Sequence, residues 1–460
     1  MFLAFSRACR AALAATLLMA AQWSIAAPAG QVEFAQGLTS AQQPGQPVRF
    51  LGKGDPLQEG DVLNTGARGF AIIAFLDGGK MTLRPNTTFA IDQYRATAGD
   101  ESVVLRLLKG GLRAITGTIG RSKPEAVRIS TPTATVGIRG TEFDARICTD
   151  DCAKEERSSA KPAPVVVELV VARVAAISGT ATVTAANKRT RNVLKGAALY
   201  TGESIRTAKG AYVVLAFRDQ TRITVTGDSE FQLENVRFSG AQSDSGSFVV
   251  RLLHGTARTL TGLLAKSDPQ SFQFRASTAT IGIRGSGFDA RVQQECDAGK
   301  CTDVVYTWLW LDSIALDAEG RTLLIPLLRA AVFDALRNRF AVLDTVPVFF
   351  TNETAPRPDQ IPFDETLFRV TDIEGAPPGL YVNVNDEGHI LFLGLNKLGI
   401  DLGRREVGYQ RDGVATPVRL LRIPRFILND PIPAPHKFDE KLLRLLEVLG
   451  DSSGGLICEL

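Results

Sequence analysis

Histidine and long apolar runs are both scarce in this sequence. Only three histidines occur among 460 residues, which leaves little material for histidine-based metal centres or acid–base sites. Lys plus Arg exceed Asp plus Glu by 52 − 49 = 3. A net charge this small gives no field that would attract nucleic acid, and we expect no nucleic-acid partner. With 45% hydrophobic and 22% charged residues, the composition is that of a globular protein.

The first 26 residues have the pattern of a secretory signal peptide. Arg7 and Arg10 form a basic start, residues 11–21 are apolar, and Ser24-Ile25-Ala26 offers a small-x-small cleavage site. The apolar run is shorter than the roughly 20 residues that a membrane-spanning helix needs. We therefore predict cleavage near Ala26 and a periplasmic or secreted product with no membrane span in the mature chain.

Cysteine is also scarce, and export changes how it is interpreted. Cys9 lies in the predicted signal peptide. Four others form two close pairs: Cys148 and Cys152, and Cys296 and Cys301. Oxidising compartments favour disulfides, so we predict two local disulfides; the alternative is one metal site shared by both pairs. Cys458, near the end of the chain, is left over.

The middle of the chain is an internal repeat. Residues 103–117 read VVLRLLKGGLRAITG and residues 248–262 read FVVRLLHGTARTLTG, at an offset of 145. At the same offset, TATVGIRGTEFDAR at 133–146 matches TATIGIRGSGFDAR at 278–291. Upstream, residues 60–91 match residues 202–233 at an offset of 142. These matches predict two tandem domains of one fold.

Apolar residues within each copy recur at every second position. In residues 271–276, SFQFRA, the alternation is typical of a strand with one buried face. Short apolar runs end at Asp77-Gly78-Gly79 and at Asp219-Gln220, where the chain can reverse. We therefore predict an all-β fold, with two tandem domains that are sandwich-like or jelly-roll-like; a short solenoid is the alternative.

The repeated segments also carry a family resemblance. GDVLNT at 60–65, AIIAFLDG at 71–78, LRLLKG at 105–110 and TPTATVGIRGT at 131–141 resemble the FecR-like domain in order and spacing, and the second copy is similar but weaker. Members of this family include periplasmic relays of iron-uptake signalling that bind a receptor outside and control a sigma factor inside. Because this sequence shows neither the cytoplasmic anti-sigma segment nor the membrane helix of such a relay, the resemblance implies an extracytoplasmic sensing or binding module.

The remaining sequence completes the domain plan. Residues 321–344 carry Pro326 at a plausible first turn and an apolar stripe, a pattern that predicts a helix. Residues 380–384 and 390–393 flank Asn385-Asp386-Glu387-Gly388 and predict a hairpin, within a β-rich extension expected to pack on the second copy. The expected divisions are a signal peptide 1–26, a first FecR-like domain 27–160, a second 161–303, a variable segment and linker 304–362, a β-rich C-terminal extension 363–438, and a short amphipathic helix and tail 439–460.

Two arginines and two tryptophans are the candidate binding residues. Arg139 and Arg284 lie between glycines in the repeated motif, and each is followed five residues later by an aspartate. They are interpreted either as structural guanidinium groups or as a duplicated anion site. Trp308 and Trp310 alternate on a predicted strand, so both indoles share one face, for core packing or for binding sugar rings or a protein.

No catalytic arrangement emerges from the sequence. Gly450-Asp451-Ser452-Ser453-Gly454 matches G-x-S-x-G, but no histidine follows it and a predicted helix precedes it, unlike a nucleophile elbow. We therefore expect a non-enzymatic protein without cofactor or metal. It is predicted to act through contact with a cell-envelope protein; recognition of cell-wall or extracellular polysaccharide is the alternative.

Overall fold

The fold is known from a computed structural model that describes residues 28–139, 142–158, 170–239, 244–283, 286–297, 299–385 and 388–435. In these ranges the chain forms 34 strands and a few short helices, so the all-β prediction is confirmed. The predicted signal peptide, the predicted terminal helix 439–449 and Cys458 lie outside the described residues.

The first part of the chain forms twelve strands and two helices. The strands are β1 (Pro28–Gln36), β2 (Thr39–Gln42), β3 (Arg49–Phe50), β4 (Pro56–Gln58), β5 (Val62–Thr65), β6 (Phe70–Phe75), β7 (Lys80–Leu83), β8 (Thr88–Arg95), β9 (Ser102–Ile115), β10 (Val127–Ser130), β11 (Ala134–Arg139) and β12 (Glu142–Cys148). The helices are α1 (Thr118–Ser122) and α2 (Asp150–Ser158).

The second part repeats this order and continues it. Its strands are β13 (Ala172–Ser178), β14 (Ala181–Thr184), β15 (Thr190–Asn192), β16 (Ala198–Leu199), β17 (Ser204–Thr207), β18 (Tyr212–Phe217), β19 (Arg222–Val225), β20 (Ser229–Ser239), β21 (Ser245–Leu260), β22 (Phe272–Ala276), β23 (Ala279–Ile283), β24 (Gly287–Asp297), β25 (Lys300–Leu311), β26 (Ile314–Ala318), β27 (Arg321–Ile325), β28 (Ala330–Asp334) and β29 (Arg339–Leu343). Helix α3 is Leu263–Ser267.

The last part adds five strands and two short helices. These are α4 (Val348–Thr351), β30 (Gly379–Val384), β31 (His389–Gly394), β32 (Gly399–Leu402), β33 (Val407–Gln410), β34 (Val418–Arg419) and α5 (Arg425–Leu428).

Each domain is a two-layer sandwich in which one long strand belongs to both layers. In the second domain, one layer runs β16-β13-β18-β19-β21-β24-β25-β28-β29 and the other β15-β14-β17-β20-β21-β22-β23-β26-β27. Strand β21 joins the two layers. Apolar side chains from both layers share one core, because the strands alternate between inward and outward side chains.

The first domain has the same layers, but its last strands come from the end of the chain. Strand β30 pairs with β12, and β31 pairs with β11, at the positions that β25 and β26 occupy in the second domain. Strands β32, β33 and β34 then complete the layers as β27, β28 and β29 do. The whole second domain is therefore inserted between two parts of the first.

This arrangement corrects three expectations. Residues 321–344 form strands β27 to β29 and not a helix, because their β-branched and aromatic residues pair across strands and Pro326 lies in a turn. The C-terminal extension pairs with the first copy and not with the second. Its segments 380–384 and 390–393 are strands, but they lie in different layers instead of forming a hairpin.

Candidate functional site

Both close cysteine pairs are disulfides. The bond between Cys148 and Cys152 joins the end of β12 to α2, and the bond between Cys296 and Cys301 crosses the β24–β25 hairpin. The predicted pairing is confirmed, and the sulfurs are therefore not held by a shared metal. Among the residues that the structure describes, no cluster of His, Cys, Asp and Glu could hold a metal ion.

The two candidate arginines lie largely beyond the described part of the chain. Arg284 is outside the described residues, and for Arg139 only the backbone, at the end of β11, is described. The aspartates that follow them have other partners. Arg113 lies 2.9 Å from Asp144, and Arg258 lies 3.1 Å from Asp289, both measured between guanidinium and carboxylate atoms.

The two candidate tryptophans lie half-buried under a segment that we name the second strap, residues 348–357. Trp308 packs against Phe350 at 6.2 Å between ring centroids, and Trp310 lies 4.9 Å beneath the guanidinium of Arg357. The indole Nε1 of Trp310 donates to Asp289 at 2.9 Å. Burial is the largest influence on the Asp289 carboxyl and raises its pKa to about 6.

An equivalent strap, residues 425–432, covers the first domain. Phe426 packs against Tyr381 at 5.2 Å and lies 5.3 Å from the guanidinium of Arg146. Arg113 Nη1 donates to the carbonyl of Ile432 at 2.7 Å. In the second domain Arg258 Nη1 donates to the carbonyl of Ala355, also at 2.7 Å. The Arg–Asp pairs of both domains therefore anchor the straps, which favours a structural role for this polar cluster.

The straps share a sequence match that lies outside the repeated segments described above. Residues 347–350 read PVFF and residues 424–427 read PRFI, at an offset of 77. The strap carbonyls at 355 and 432 that accept from arginine have the same offset. This second set of matches shows that the repeat continues beyond residue 303 and that its other half lies at the C-terminus.

The two domains meet at a buried polar junction that sequence reasoning did not find. Arg173 on β13 is 1% exposed, and both oxygens of Glu406 accept from its Nη2 at 2.5 and 2.6 Å. Burial opposes ionisation of Glu406, but the guanidiniums of Arg173 and Arg419 more than offset it and hold its pKa below the usual value. An ion pair this deeply buried is costly to break from one side, so it fixes how the domains dock.

Close backbone approach also shapes the junction. Gly403 lies against Ala198 and Tyr200, and a Cβ on Gly403 would come within 2.7 Å of the Ala198 Cβ. The Tyr200 hydroxyl donates to the carbonyl of Arg404 at 3.2 Å. Glycine at position 403 therefore permits the second domain to reach the β32–β33 turn of the first.

In the second domain, the corresponding turn is exposed among the residues that the structure describes. Leu328 N donates to the carbonyl of Leu309 at 2.9 Å, as Arg405 N does to that of Val384 at 2.8 Å, so the β27–β28 and β32–β33 turns have the same backbone. Leu328 and Arg405 both have positive φ, at 62° and 58°. We name Leu324, Leu327 and Leu328 the leucine surface; they are 74%, 55% and 62% exposed.

These features define the class: an all-β protein with two domains of one fold. Each domain is a sandwich covered by a strap, and the two domains meet at a buried polar junction. The FecR protein family model matches residues 61–161 and 203–303, so one segment of each domain is similar to the FecR family. Each sandwich extends beyond its matched segment, because β1 to β4 precede the first match and β26 to β29 follow the second.

Other comparisons add little detail. No curated protein is significantly similar in sequence to the chain. Two crystal structures, at 1.65 and 2.50 Å, of a candidate anti-sigma factor from Parabacteroides distasonis are similar over 30% of this chain, with 12% identity and a TM-score of 0.25. The similar region spans 58% of that protein's chain. Within the described ranges, none of the helices has the length and apolar character to cross a membrane.

Proposed function

We propose that this protein is an exported FecR-type binding or sensing scaffold that acts through protein–protein contact in the cell envelope. The tandem FecR domains support a signalling or protein-interaction module. The signal-peptide pattern and the two disulfides fit an oxidising compartment outside the cytoplasm.

One observation carries the proposal. In the first domain, the β32 edge and the β32–β33 turn already bind a folded protein domain, namely the second domain, through Arg173 and Tyr200. In the second domain, the same edge and turn carry the leucine surface. A free sheet edge with exposed apolar side chains is a typical protein-docking surface.

The setting of the tryptophans favours a protein partner over a glycan. Stacking on a sugar ring needs an open aromatic face. Trp308 and Trp310 lie under Phe350 and Arg357 of the second strap, so these indoles have neighbours on the face where a sugar would stack.

Site-specific photocrosslinking in cells tests the proposal. A photoreactive residue at position 327 should form a discrete adduct with one envelope protein, and Leu324→Asp should abolish it. The matched control position is Leu395, which is 67% exposed in the β31–β32 turn of the first domain. No adduct at 327, or the same adducts from 327 and 395, would count against the leucine surface as the docking site.

A further inference from the structure

A buried histidine lies at the junction between the two domains. His389, on β31 of the first domain, is 5% exposed. Its Nε2 lies 2.7 Å from Nε of Arg191, on β15 of the second domain. Its Nδ1 lies 2.8 Å from Oδ1 of Asp401, on the neighbouring strand β32. One ring therefore links both domains.

The hydrogen-bonding capacity of the Arg191 and His389 nitrogens determines which protonation state of the ring fits this geometry. Nε of an arginine carries a hydrogen and can only donate, so Nε2 of His389 must accept. The ring hydrogen then sits on Nδ1 and is donated to the Asp401 carboxylate. This arrangement is a neutral imidazole, and a second ring proton would have to occupy the nitrogen that faces Arg191.

The charged groups around the ring determine which hydrogen bonds would survive its protonation. Arg191 is also held by Glu203, at 2.8 Å from Nη1 and 3.1 Å from Nη2. Asp401 is the carboxylate that faces the ring from β32, and Arg139 lies opposite His389 in the β11–β31 register. A protonated ring keeps its bond to Asp401, while Arg191 keeps its bonds to Glu203. Only the hydrogen bond from Arg191 to His389, one of several between the domains, is lost.

Arginines and a glutamate also surround the Asp401 carbonyl. Nη1 of Arg173 and the Nε and Nη2 of Arg419 donate to it, and Arg173 and Arg419 both lie near Glu406. These groups keep their charges in mild acid, because the arginines hold the pKa of Glu406 below its usual value. His389 is thus the group at this junction to which an added proton would remove a contact between the domains.

We propose that His389 is an acid-sensitive latch between the two domains. In mild acid a proton from solvent adds to Nε2, the hydrogen bond from Arg191 breaks, and two cations face each other across the junction. The contact between the β31–β32 edge and β15–β16 then loosens. Because the chain joins the second domain to the first at both of its ends, before β13 and after the second strap, the second domain opens without leaving.

Hydrogen–deuterium exchange of the full chain, corrected for the intrinsic effect of pH, tests the latch. Exchange in residues 190–199 and 399–407 should rise about tenfold between about pH 7.5 and about pH 5.5, the size expected for losing one hydrogen bond to a charged group. Exchange in the core strand β18 should not change, which separates opening of the junction from unfolding.

Two substitutions separate the histidine from its neighbours. His389→Gln takes up no proton, and its amide oxygen still accepts from Arg191, so its exchange should be the same at both pH values. His389→Lys carries a permanent charge and should raise junction exchange already at about pH 7.5. The proposal is overturned if wild-type exchange does not rise in acid, or if His389→Gln shows the same rise as the wild type.

Discussion

Single buried charged groups determine how the two domains meet. The Arg173 and Glu406 side chains are 1% and 13% exposed. The chain also contains an exposed pair of the same chemistry, Arg206 and Glu230, in which the arginine is 70% exposed. Buried and exposed pairs differ greatly in what their loss costs, so these two pairs form a natural comparison.

Arg173→Ala should lower the free energy of unfolding by about 3–5 kcal/mol, because it leaves the buried Glu406 carboxylate with only the Gly403 amide and the more distant Arg419 guanidinium. Arg206→Ala should change it by less than about 1 kcal/mol. Denaturant titration monitored by circular dichroism measures both. Equal effects of the two substitutions would show that the junction is hydrated and does not bury its charges.

The position of the second strap depends on contacts with residues that are distant from it in the sequence. Helix α4 is a single turn with no side-chain cap, so it has little stability of its own. Its position depends on aromatic packing with β25 and on the hydrogen bond from Arg258 to Ala355. The fully buried Phe350 is its main apolar anchor, whereas Val348 on the same turn is 66% exposed.

Phe350→Ala should destabilise the second domain by about 3–5 kcal/mol, the usual cost of truncating a buried phenylalanine. It should also shift the tryptophan emission to longer wavelength, since Trp308 loses its cover. Val348→Ala is the control and should leave both stability and emission nearly unchanged. If Phe350→Ala leaves the emission maximum where it was, the strap does not shield Trp308.

Elements with strong local signals were predictable, and elements defined by distant pairing were not. The alternation in 271–276 predicted β22, and Asp77-Gly78-Gly79 predicted the β6–β7 turn, in which Gly78 has φ of 78°. The helix predicted for residues 321–344 is wrong because an apolar stripe at helical spacing also fits three short strands. The junction left no trace in the sequence, because Arg173, His389 and Glu406 are far apart and their spacing carries no motif.

At the scale of the whole molecule, the insertion of one domain into the other sets which parts can fold alone. The second domain is continuous from β13 to β29 and carries its own strap at 348–357. The first domain lacks β30 and β31 until the chain has passed through the second. Without them, β11 and β12 would be unpaired edges next to an open core.

A fragment of residues 170–362 should therefore fold, with a cooperative melt and the Cys296–Cys301 disulfide formed, whereas a fragment of residues 28–158 should aggregate or stay unfolded. The reason is physical: the 170–362 fragment keeps both layers of its sandwich, while the 28–158 fragment loses the strands that contribute Val382, Val384 and Phe392 to its core. Joining residues 28–158 to 370–435 through a flexible linker should restore a cooperative melt. Circular dichroism and size-exclusion chromatography measure all three proteins, and a stable, monomeric 28–158 fragment would refute the inserted arrangement as a requirement for folding.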